Sequence, residues 1–224
     1  MARSSQVLME MYEAMHRRFG HQGWWPGDTP LEVCIGAILT QNTNWRNVER
    51  AISNLKAAGL LSVSALHAMP HEPLAECLRP AGYYNIKARR LKNLIAHVHE
   101  SFGDDIAAFL DRSVGTLREE LLGVKGVGRE TADSIILYAA GKATFVVDTY
   151  THRVLMRHGF ISPEDDYERI KEFMESSLVE DVELYNDYHA QLVAVGKQFC
   201  KPTPRCAGCP LKQFPHDPHA GMET

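Results

Sequence analysis

Apolar residues recur at helical spacing along almost the whole chain of 224 residues. Residues 48–55 and 91–102 show this most clearly, because each places its apolar side chains on one helical face and each is followed by a glycine. Alternation of apolar and polar residues is absent, and residues 144–147 form the one short run with β character. The periodicity therefore predicts an all-α fold of about ten helices joined by short loops.

Charge is unevenly distributed, although 28 acidic and 24 basic residues give a formal net charge of only −4. Residues 164–187 carry ten acids and two bases, whereas residues 188–216 carry no acid. A second basic cluster lies within residues 87–92. The acidic total excludes a protein that binds polyanions by bulk charge, but the two basic segments are compatible with local contact to a nucleic acid.

The five cysteines are unevenly placed. No segment reaches the length of about 18 apolar residues typical of a membrane span, and residues 1–19 lack the continuous apolar core of a secretion signal. We therefore expect a cytoplasmic protein with reduced thiols and no membrane partner. Cys34 and Cys77 are expected in the core, whereas Cys200, Cys206 and Cys209 lie within ten residues, which indicates a metal site or catalysis.

Residues 121–132, with the sequence LLGVKGVGRETA, place two glycines just before a predicted helix. Glycine permits positive φ and close approach of the backbone, and backbone N–H groups ahead of a helix bind phosphate oxygens. The segment formed by Val124, Lys125, Gly126, Val127 and Gly128 is therefore a candidate for contacts that set the register on DNA independently of its sequence. A tight helix–helix turn with Val127 as a buried plug is the alternative.

This segment resembles the helix-hairpin-helix of the endonuclease III superfamily of DNA glycosylases. Three more segments resemble motifs of that family in the same order, namely GAILTQNT at 36–43, AGYYNIKA at 81–88 and VVDTYTHR at 146–153. The tail with three cysteines resembles the iron–sulfur loop of the family. The partner implied by this resemblance is double-stranded DNA with a damaged base, bound by a monomer in the nucleoid.

The resemblance also implies a two-domain architecture within the all-α class. Residues 23–143 would form a six-helix domain that carries the hairpin, and residues 1–22 plus 144–224 would form a discontinuous helical domain with the cysteine loop. The active site of such a fold is expected in the cleft between the two domains.

Asp148 occupies the place of the aspartate that is essential in this family. Cleavage of an N-glycosidic bond builds positive charge on the sugar, and a carboxylate can stabilise that charge and orient or deprotonate water. The alternative is that Asp148 serves only as the N-cap of the following helix. Glu130 stands where bifunctional members carry a lysine that forms a Schiff base, which a carboxylate cannot do. The resemblance therefore implies a monofunctional enzyme with little or no lyase activity.

Trp24, Trp25, Pro26 and Trp45 are candidates for a pocket that stacks an extruded base, and ordinary core aromatics are the alternative. Together with GAILTQNT they resemble the bacterial 3-methyladenine DNA glycosylase III subgroup, in which the corresponding aromatics sandwich an alkylated purine. Such a purine is cationic, stacks well on indoles and leaves without protonation. The implied activity is release of alkylated purines such as 3-methyladenine.

Two other functions remain open at this point. One is an endonuclease III-like enzyme with weak lyase activity on oxidised pyrimidines, and the other is a protein that binds damaged DNA without catalysis. Four further candidates for DNA contact follow from the resemblance: Gln41 as the residue that fills the gap left by the extruded base, Tyr83 as a wedge, and Lys87 and Arg90 as phosphate contacts.

The spacing Cys200-x5-Cys206-x2-Cys209 departs twice from the family's cluster loop, because its first interval is one residue short and its fourth cysteine is missing. Pro215 stands in the place of that cysteine and His216 follows it. Three thiolates with His216 could bind a [4Fe–4S] cluster, and the same ligands could bind zinc. A loop without any metal is the third possibility.

Overall fold

A computed structural model describes residues 2–221 and divides the chain into two compact units. One unit is Trp25–Lys142, and the other combines the chain up to Trp24 with the chain from Ala143 onward. The described residues contain α-helices, one 3-10 helix and one π-helical turn but no strand, which confirms the all-α prediction. Residues 144–147 have no regular secondary structure. Within the described part of the chain, no helix has both the length and the apolar character needed to cross a membrane.

Eight α-helices, rather than the six expected, build the unit Trp25–Lys142. They are α2 (Pro30–Leu39), α3 (Trp45–Ala57), α4 (Val63–Ala68), α5 (His71–Leu78), α6 (Tyr84–Phe102), α7 (Ile106–Leu110), α8 (Val114–Gly123) and α9 (Arg129–Ser134), with a 3-10 helix at Arg79–Ala81 and a π-helical turn at Ile135–Ala139. Helices α4 and α7 have only six and five residues, so they are too short to show a helical period in the sequence.

Helix α2 forms the centre of this unit. Thr29 caps its N-terminus by accepting a hydrogen bond from the Glu32 N–H, and Pro30 occupies its first turn, an arrangement that helix starts favour. Every residue from Leu31 to Leu39 is buried. Helix α2 is therefore covered on all sides.

The other unit consists of α1 (Ala2–Phe19), α10 (Thr149–Arg157), α11 (Tyr167–Ser177), α12 (Val182–Gln198) and a turn-rich segment after α12. Its core includes Phe145 and Tyr188, and the Tyr188 hydroxyl donates to the Leu8 carbonyl at 2.9 Å. Helices α10 and α12 approach closely, because a Cβ on Gly196 would lie 2.3 Å from the Tyr150 ring. This close packing sets the N-terminus of α10 against α12.

Candidate active site

The hairpin between α8 and α9 is a tight turn built around one obligatory glycine. The Val127 N–H donates to the Val124 carbonyl at 3.0 Å, and both valine side chains are buried. Gly126 has φ +102°, and a Cβ there would lie 2.3 Å from Cγ of Arg90. Gly128 is the extended N-cap of α9, whereas Lys125 is exposed. The buried valines therefore anchor a turn whose backbone only glycine fits at position 126.

Side chains from two other segments fasten this hairpin. Gln41 Nε2 donates to the Gly126 carbonyl at 3.3 Å and to Thr131 Oγ1 at 3.0 Å. The Arg90 guanidinium donates to Gln41 Oε1, and Asn93 Nδ2 donates to the Lys125 carbonyl at 2.7 Å. Gln41 and Arg90 thus lie at the hairpin in this structure, and their proposed contacts with DNA stay predictions.

Tyr83 and Lys87 lie close together in sequence but differ sharply in exposure. Tyr83 has φ +46° and is 70% exposed, so a conformation rare for a bulky residue presents its ring to solvent. Lys87 is only 1% exposed, and its Nζ donates to the carbonyls of Leu39 at 2.9 Å and Ala81 at 2.7 Å. Burial, with a smaller contribution from the Arg90 charge, lowers the pKa of Lys87 to about 8.

The prediction that Lys87 contacts a DNA phosphate is therefore wrong for this structure. Its ammonium group donates hydrogen bonds to two main-chain carbonyls and is shielded from solvent. Instead Lys87 joins the end of α2, which precedes Gln41, to the segment that precedes Tyr83. Its role is to fix these two segments, while the wedge role of Tyr83 stays a prediction.

Asp148 caps α10, as the alternative interpretation expected, and it also faces a histidine. Its Oδ1 accepts the Thr151 N–H at 2.7 Å, and its Oδ2 lies 3.6 Å from Nε2 of His189 on α12. Burial acts to raise the pKa of Asp148, but the His189 interaction and the bonds to Thr151 outweigh it and lower the pKa. The geometry therefore keeps a nearly buried carboxylate ionised, which the chemistry expected of Asp148 requires.

Trp24 belongs to the same unit as Asp148. Its ring centroid lies 6.5 Å from that of His189 in an edge-to-face arrangement, and Lys197 Nζ lies 5.8 Å from the centroid of its ring. One cation already interacts with this indole. One polar and aromatic cluster therefore contains Asp148 at the N-cap of α10, His189 and Lys197 on α12, and Trp24 at the end of the N-terminal part of this unit.

Trp25 belongs to a second aromatic cluster in the other unit. It makes an edge contact with Trp45 at 5.2 Å between centroids and a tilted stack with Tyr138 at 5.1 Å. A Cβ on Gly36 would lie 3.0 Å from Nε1 of Trp25, so the small residue at that position admits the indole against α2. Pro26 is exposed. The three tryptophans therefore divide between two aromatic clusters and Pro26 belongs to neither, and the role of all four residues in base binding stays a prediction.

Glu130 lies exposed in the first turn of α9. A carboxylate is stabilised there by the positive end of the helix dipole. The side chain at this place carries no amine, so the structure supplies no Schiff-base nucleophile at Glu130.

Two arginines of α10 organise the backbone of the cysteine loop. Arg153 Nε donates to the Cys200 carbonyl at 2.6 Å. The nearly buried Arg157 donates to the carbonyls of Lys201 at 2.7 Å and Pro202 at 2.9 Å, and it also lies 3.4 Å from the Cys200 sulfur. The start of the loop is therefore held by charge-assisted hydrogen bonds.

The three clustered cysteines line one cavity together with two histidines, His158 and His216. Burial is the main cause that raises the pKa of the Cys209 thiol, and the nearby Cys200 and Cys206 thiols contribute. His158 Nδ1 lies 2.9 Å from the Pro215 carbonyl, and His216 Nδ1 lies 2.8 Å from the Phe214 carbonyl. Across residues 2–221, no three Cys, His, Asp or Glu side chains are arranged as a metal-binding group.

Sequence reasoning missed His189, Tyr138, Arg157 and His158. His189 and Arg157 lie within amphipathic helices, where a single polar residue gives no pattern. Tyr138 follows the hairpin and could have been found as another aromatic of the same motif region. The contacts that give these residues a role link positions that are far apart in sequence, such as Asp148 with His189.

Comparison with known proteins gives consistent results. A family profile described as HhH-GPD superfamily base excision DNA repair protein matches residues 35–179. The chain is 46% identical over 210 residues to a protein of Methanocaldococcus jannaschii provisionally named a DNA repair glycosylase, covering 93% of this chain and 96% of the relative. It is 31% identical over 187 residues to endonuclease III of Thermotoga maritima, covering 82% and 81% of the two chains.

Solved structures show the same relationship. A crystal structure of H. pylori 3-methyladenine DNA glycosylase bound to 1,N6-ethenoadenine has a TM-score of 0.76 and 30% identity, covering 87% of this chain and 97% of that chain. A non-covalent endonuclease III–DNA complex has a TM-score of 0.79 at 24% identity and covers 94% of each chain, which shows a shared fold.

Proposed function

Because the chain belongs to the HhH-GPD superfamily of base excision DNA repair proteins and is a DNA glycosylase, we propose that it is monofunctional and excises alkylated purines such as 3-methyladenine. The observation that carries the monofunctional mechanism is Glu130 in the first turn of α9. Bifunctional members carry a lysine nucleophile at this place, and a carboxylate cannot form their Schiff base. Water is then the group that attacks the sugar, and the product is an abasic site.

Asp148 is the residue proposed to carry the hydrolysis. Its lowered pKa keeps it ionised at neutral pH, and Thr151 fixes the direction of one of its oxygens at 2.7 Å. A fixed carboxylate stabilises the positive charge that develops on the sugar as the base leaves, and it can accept a proton from the attacking water. Activity should therefore fall at acid pH as Asp148 becomes protonated.

The preference for a purine that carries positive charge is proposed to come from the cluster of Trp25, Trp45 and Tyr138. The ring centroid of Trp25 lies 5.2 Å from that of Trp45 and 5.1 Å from that of Tyr138. Electron-rich aromatic faces attract cations. Trp24 contributes less to this selection, because Lys197 already interacts with its ring. Similarity to a 3-methyladenine DNA glycosylase at 30% identity supports the same substrate.

Contact with DNA is proposed to centre on the hairpin formed by residues 124–128. Backbone N–H groups ahead of α9 can bind phosphate oxygens of one strand, and these contacts do not depend on base sequence. The exposed side chain of Lys125 adds a positive charge at the same place. The proposed partner is double-stranded DNA with a damaged base, bound by a monomer in the nucleoid.

The cysteine loop is proposed to hold a [4Fe–4S] cluster. Thiolates are the usual ligands of such a cluster, and the thiols of Cys200, Cys206 and Cys209 share a cavity with His216, the candidate fourth ligand. In the described structure these side chains are not arranged as a metal-binding group, so binding would require them to move together. When bound, the cluster would have a structural role, because it would cross-link the loop and take no part in the reaction. Visible absorption with iron and zinc analysis of the purified protein tests this part, and zinc or no metal is the contradicting result.

Release of a free base is the experiment that tests the activity. The protein is incubated with methylated duplex DNA and with duplexes that contain thymine glycol or uracil, and borohydride is added to trap any covalent adduct. Release of 3-methyladenine without an adduct supports the proposal, and the Asp148→Asn variant should lose it. Release by Asp148→Asn at the wild-type rate would contradict the role of Asp148.

A second candidate activity is the removal of oxidised pyrimidines, favoured by the 31% identity to an endonuclease III. In that case thymine glycol is released and borohydride traps an adduct through another amine. A third outcome, tight binding to damaged duplexes with no base released, would indicate a protein that binds damage without catalysis.

A further inference from the structure

His189 lies between the carboxylate of Asp148 and the indole of Trp24. Its Nε2 is 3.6 Å from Asp148 Oδ2, and its ring meets the edge or face of Trp24 at 6.5 Å between centroids. Only 6% of the His189 side chain and 12% of the Asp148 side chain are exposed. The side chains of Asp148, His189 and Trp24 therefore meet at a site where the two polar groups are largely shielded from solvent.

The two oxygens of Asp148 have different neighbours. Oδ1 is fixed by the Thr151 N–H at 2.7 Å, a bond that any N-cap aspartate makes. Oδ2 has the His189 imidazole on its side at a distance too long for a good hydrogen bond but short enough for electrostatic attraction. A residue that acts only as a cap has no need of a second group at Oδ2.

Helix packing and two other charged residues define the surroundings of His189. Gly196 lets α10 pack closely on α12, which fixes Asp148 relative to the imidazole. Asp187, two residues earlier on α12, is occupied by Tyr12 at 3.0 Å and by His16 at 3.1 Å. Lys197 is the other charged group nearby, and it lies over the ring of Trp24.

We propose that His189 is a positioning residue, which holds Oδ2 of Asp148 in the reactive orientation and couples that carboxylate to Trp24. This inference rests on the proposed function of Asp148. His189 touches neither the sugar nor the attacking water in this proposal, and its effect reaches the reaction through the aspartate. The alternative is that His189 has a purely structural role and contributes only to the packing of α12.

Single-turnover base release as a function of pH tests the proposal, with wild type, Asp148→Asn, His189→Gln and His189→Phe. We expect His189→Phe to lower the maximal rate by about tenfold to a hundredfold, the range found when a supporting group misplaces a catalytic one. Its acid limb should move to higher pH, because the interaction with His189 is one of the causes that lower the pKa of Asp148 and phenylalanine removes it. His189→Gln keeps a donor near Oδ2 without a charge, so it should recover part of the rate but not the position of the acid limb.

The matched control is His99→Gln, because His99 also pairs with an aspartate, Asp104, through a part-buried hydrogen bond of 2.7 Å. That variant should keep the wild-type rate and acid limb. Affinity for a duplex with an abasic-site analogue should also be unchanged in His189→Gln, which separates an effect on the chemical step from one on binding. Thermal unfolding shows whether each variant is folded. If His189→Phe does not fold, the rate and acid limb of His189→Gln decide the outcome.

The outcomes are distinct. A wild-type protein that releases no base from any substrate contradicts the proposed function and not the coupling of the two side chains. An inactive Asp148→Asn together with His189→Gln and His189→Phe variants of wild-type rate and unshifted acid limb overturns the proposal for His189.

Discussion

The hairpin at residues 124–128 and the cysteine loop after α12 are both irregular segments held by side chains from elsewhere, yet they are built differently. The shape of the hairpin follows from its own residues, because Gly126 has φ +102° and Val124 and Val127 are buried. The shape of the cysteine loop depends on Arg153 and Arg157, which lie more than 40 positions earlier and donate to its carbonyls.

This difference explains why one segment is easy to recognise in a sequence and the other is not. A turn that requires positive φ leaves a glycine at a fixed place. A loop that is fixed by charge-assisted hydrogen bonds from a distant helix is marked in the sequence only by an arginine on that helix. Arginine is common near helix ends, so it gives no distinctive signal. The comparison predicts that the loop is more sensitive to changes outside itself and the hairpin to changes within itself.

The largest effect is expected for Arg157→Ala. The change removes the donors to the carbonyls of Lys201 and Pro202 inside a nearly buried site, and the free energy of unfolding should fall by about 3 kcal/mol. Denaturation by urea measures the loss, and limited proteolysis should show faster cleavage after α12. Arg169→Ala removes an exposed ion pair with Asp165 and should cost less than about 1 kcal/mol. Equal losses in the two variants would contradict the anchoring role.

A smaller loss is expected for Gly126→Ala. An alanine there must adopt positive φ and its Cβ would displace Arg90, so the free energy of unfolding should fall by about 2 kcal/mol. Affinity for duplex DNA, measured by fluorescence anisotropy, should fall as well. Gly128→Ala is the stability control, since φ at Gly128 is negative and a Cβ there meets nothing within 4 Å. A Gly126→Ala protein as stable as Gly128→Ala would show that the hairpin does not need its glycine.

Lys87→Met tests whether the buried Lys87 supports the two segments that precede Gln41 and Tyr83. Loss of the donor to Leu39 and Ala81 should lower the free energy of unfolding by about 1 kcal/mol at neutral pH. The pKa of Lys87 is lowered to about 8 in the folded protein, so the unfolded chain binds more protons above that pH. Wild type should therefore gain stability relative to Lys87→Met by up to about 1.4 kcal/mol per pH unit as pH rises from about 8 towards 10.

Denaturation of both proteins at several pH values measures this difference. The subtraction cancels the titration of the other lysines and tyrosines. A gap between wild type and Lys87→Met that is constant with pH would contradict a lowered Lys87 pKa.

The smallest effect is expected for Asn93→Ala, which removes one partly exposed bond to the Lys125 carbonyl. The global free energy of unfolding should change by about 0.5 kcal/mol. Hydrogen exchange of the Val127 amide, which closes the hairpin, should speed up more than exchange in α6. Unchanged exchange at Val127 would show that the hairpin holds its shape without Asn93.

The sequence by itself determined the helical class, the hairpin and the place of Asp148 at a helix start. These features follow from local rules, namely apolar spacing, a glycine at a positive-φ position and a capping residue. Glu130 also needed only its place in the motif.

Only the tertiary structure decided which side chains serve these features. It buried Lys87 although its sequence context indicated a phosphate contact, placed His189 beside Asp148 across 41 positions of sequence, and put Trp24 and Trp25 into different clusters. The physical reason is that burial and pairing depend on which helices pack together, and close packing such as that of Gly196 against Tyr150 is not encoded in any single helix.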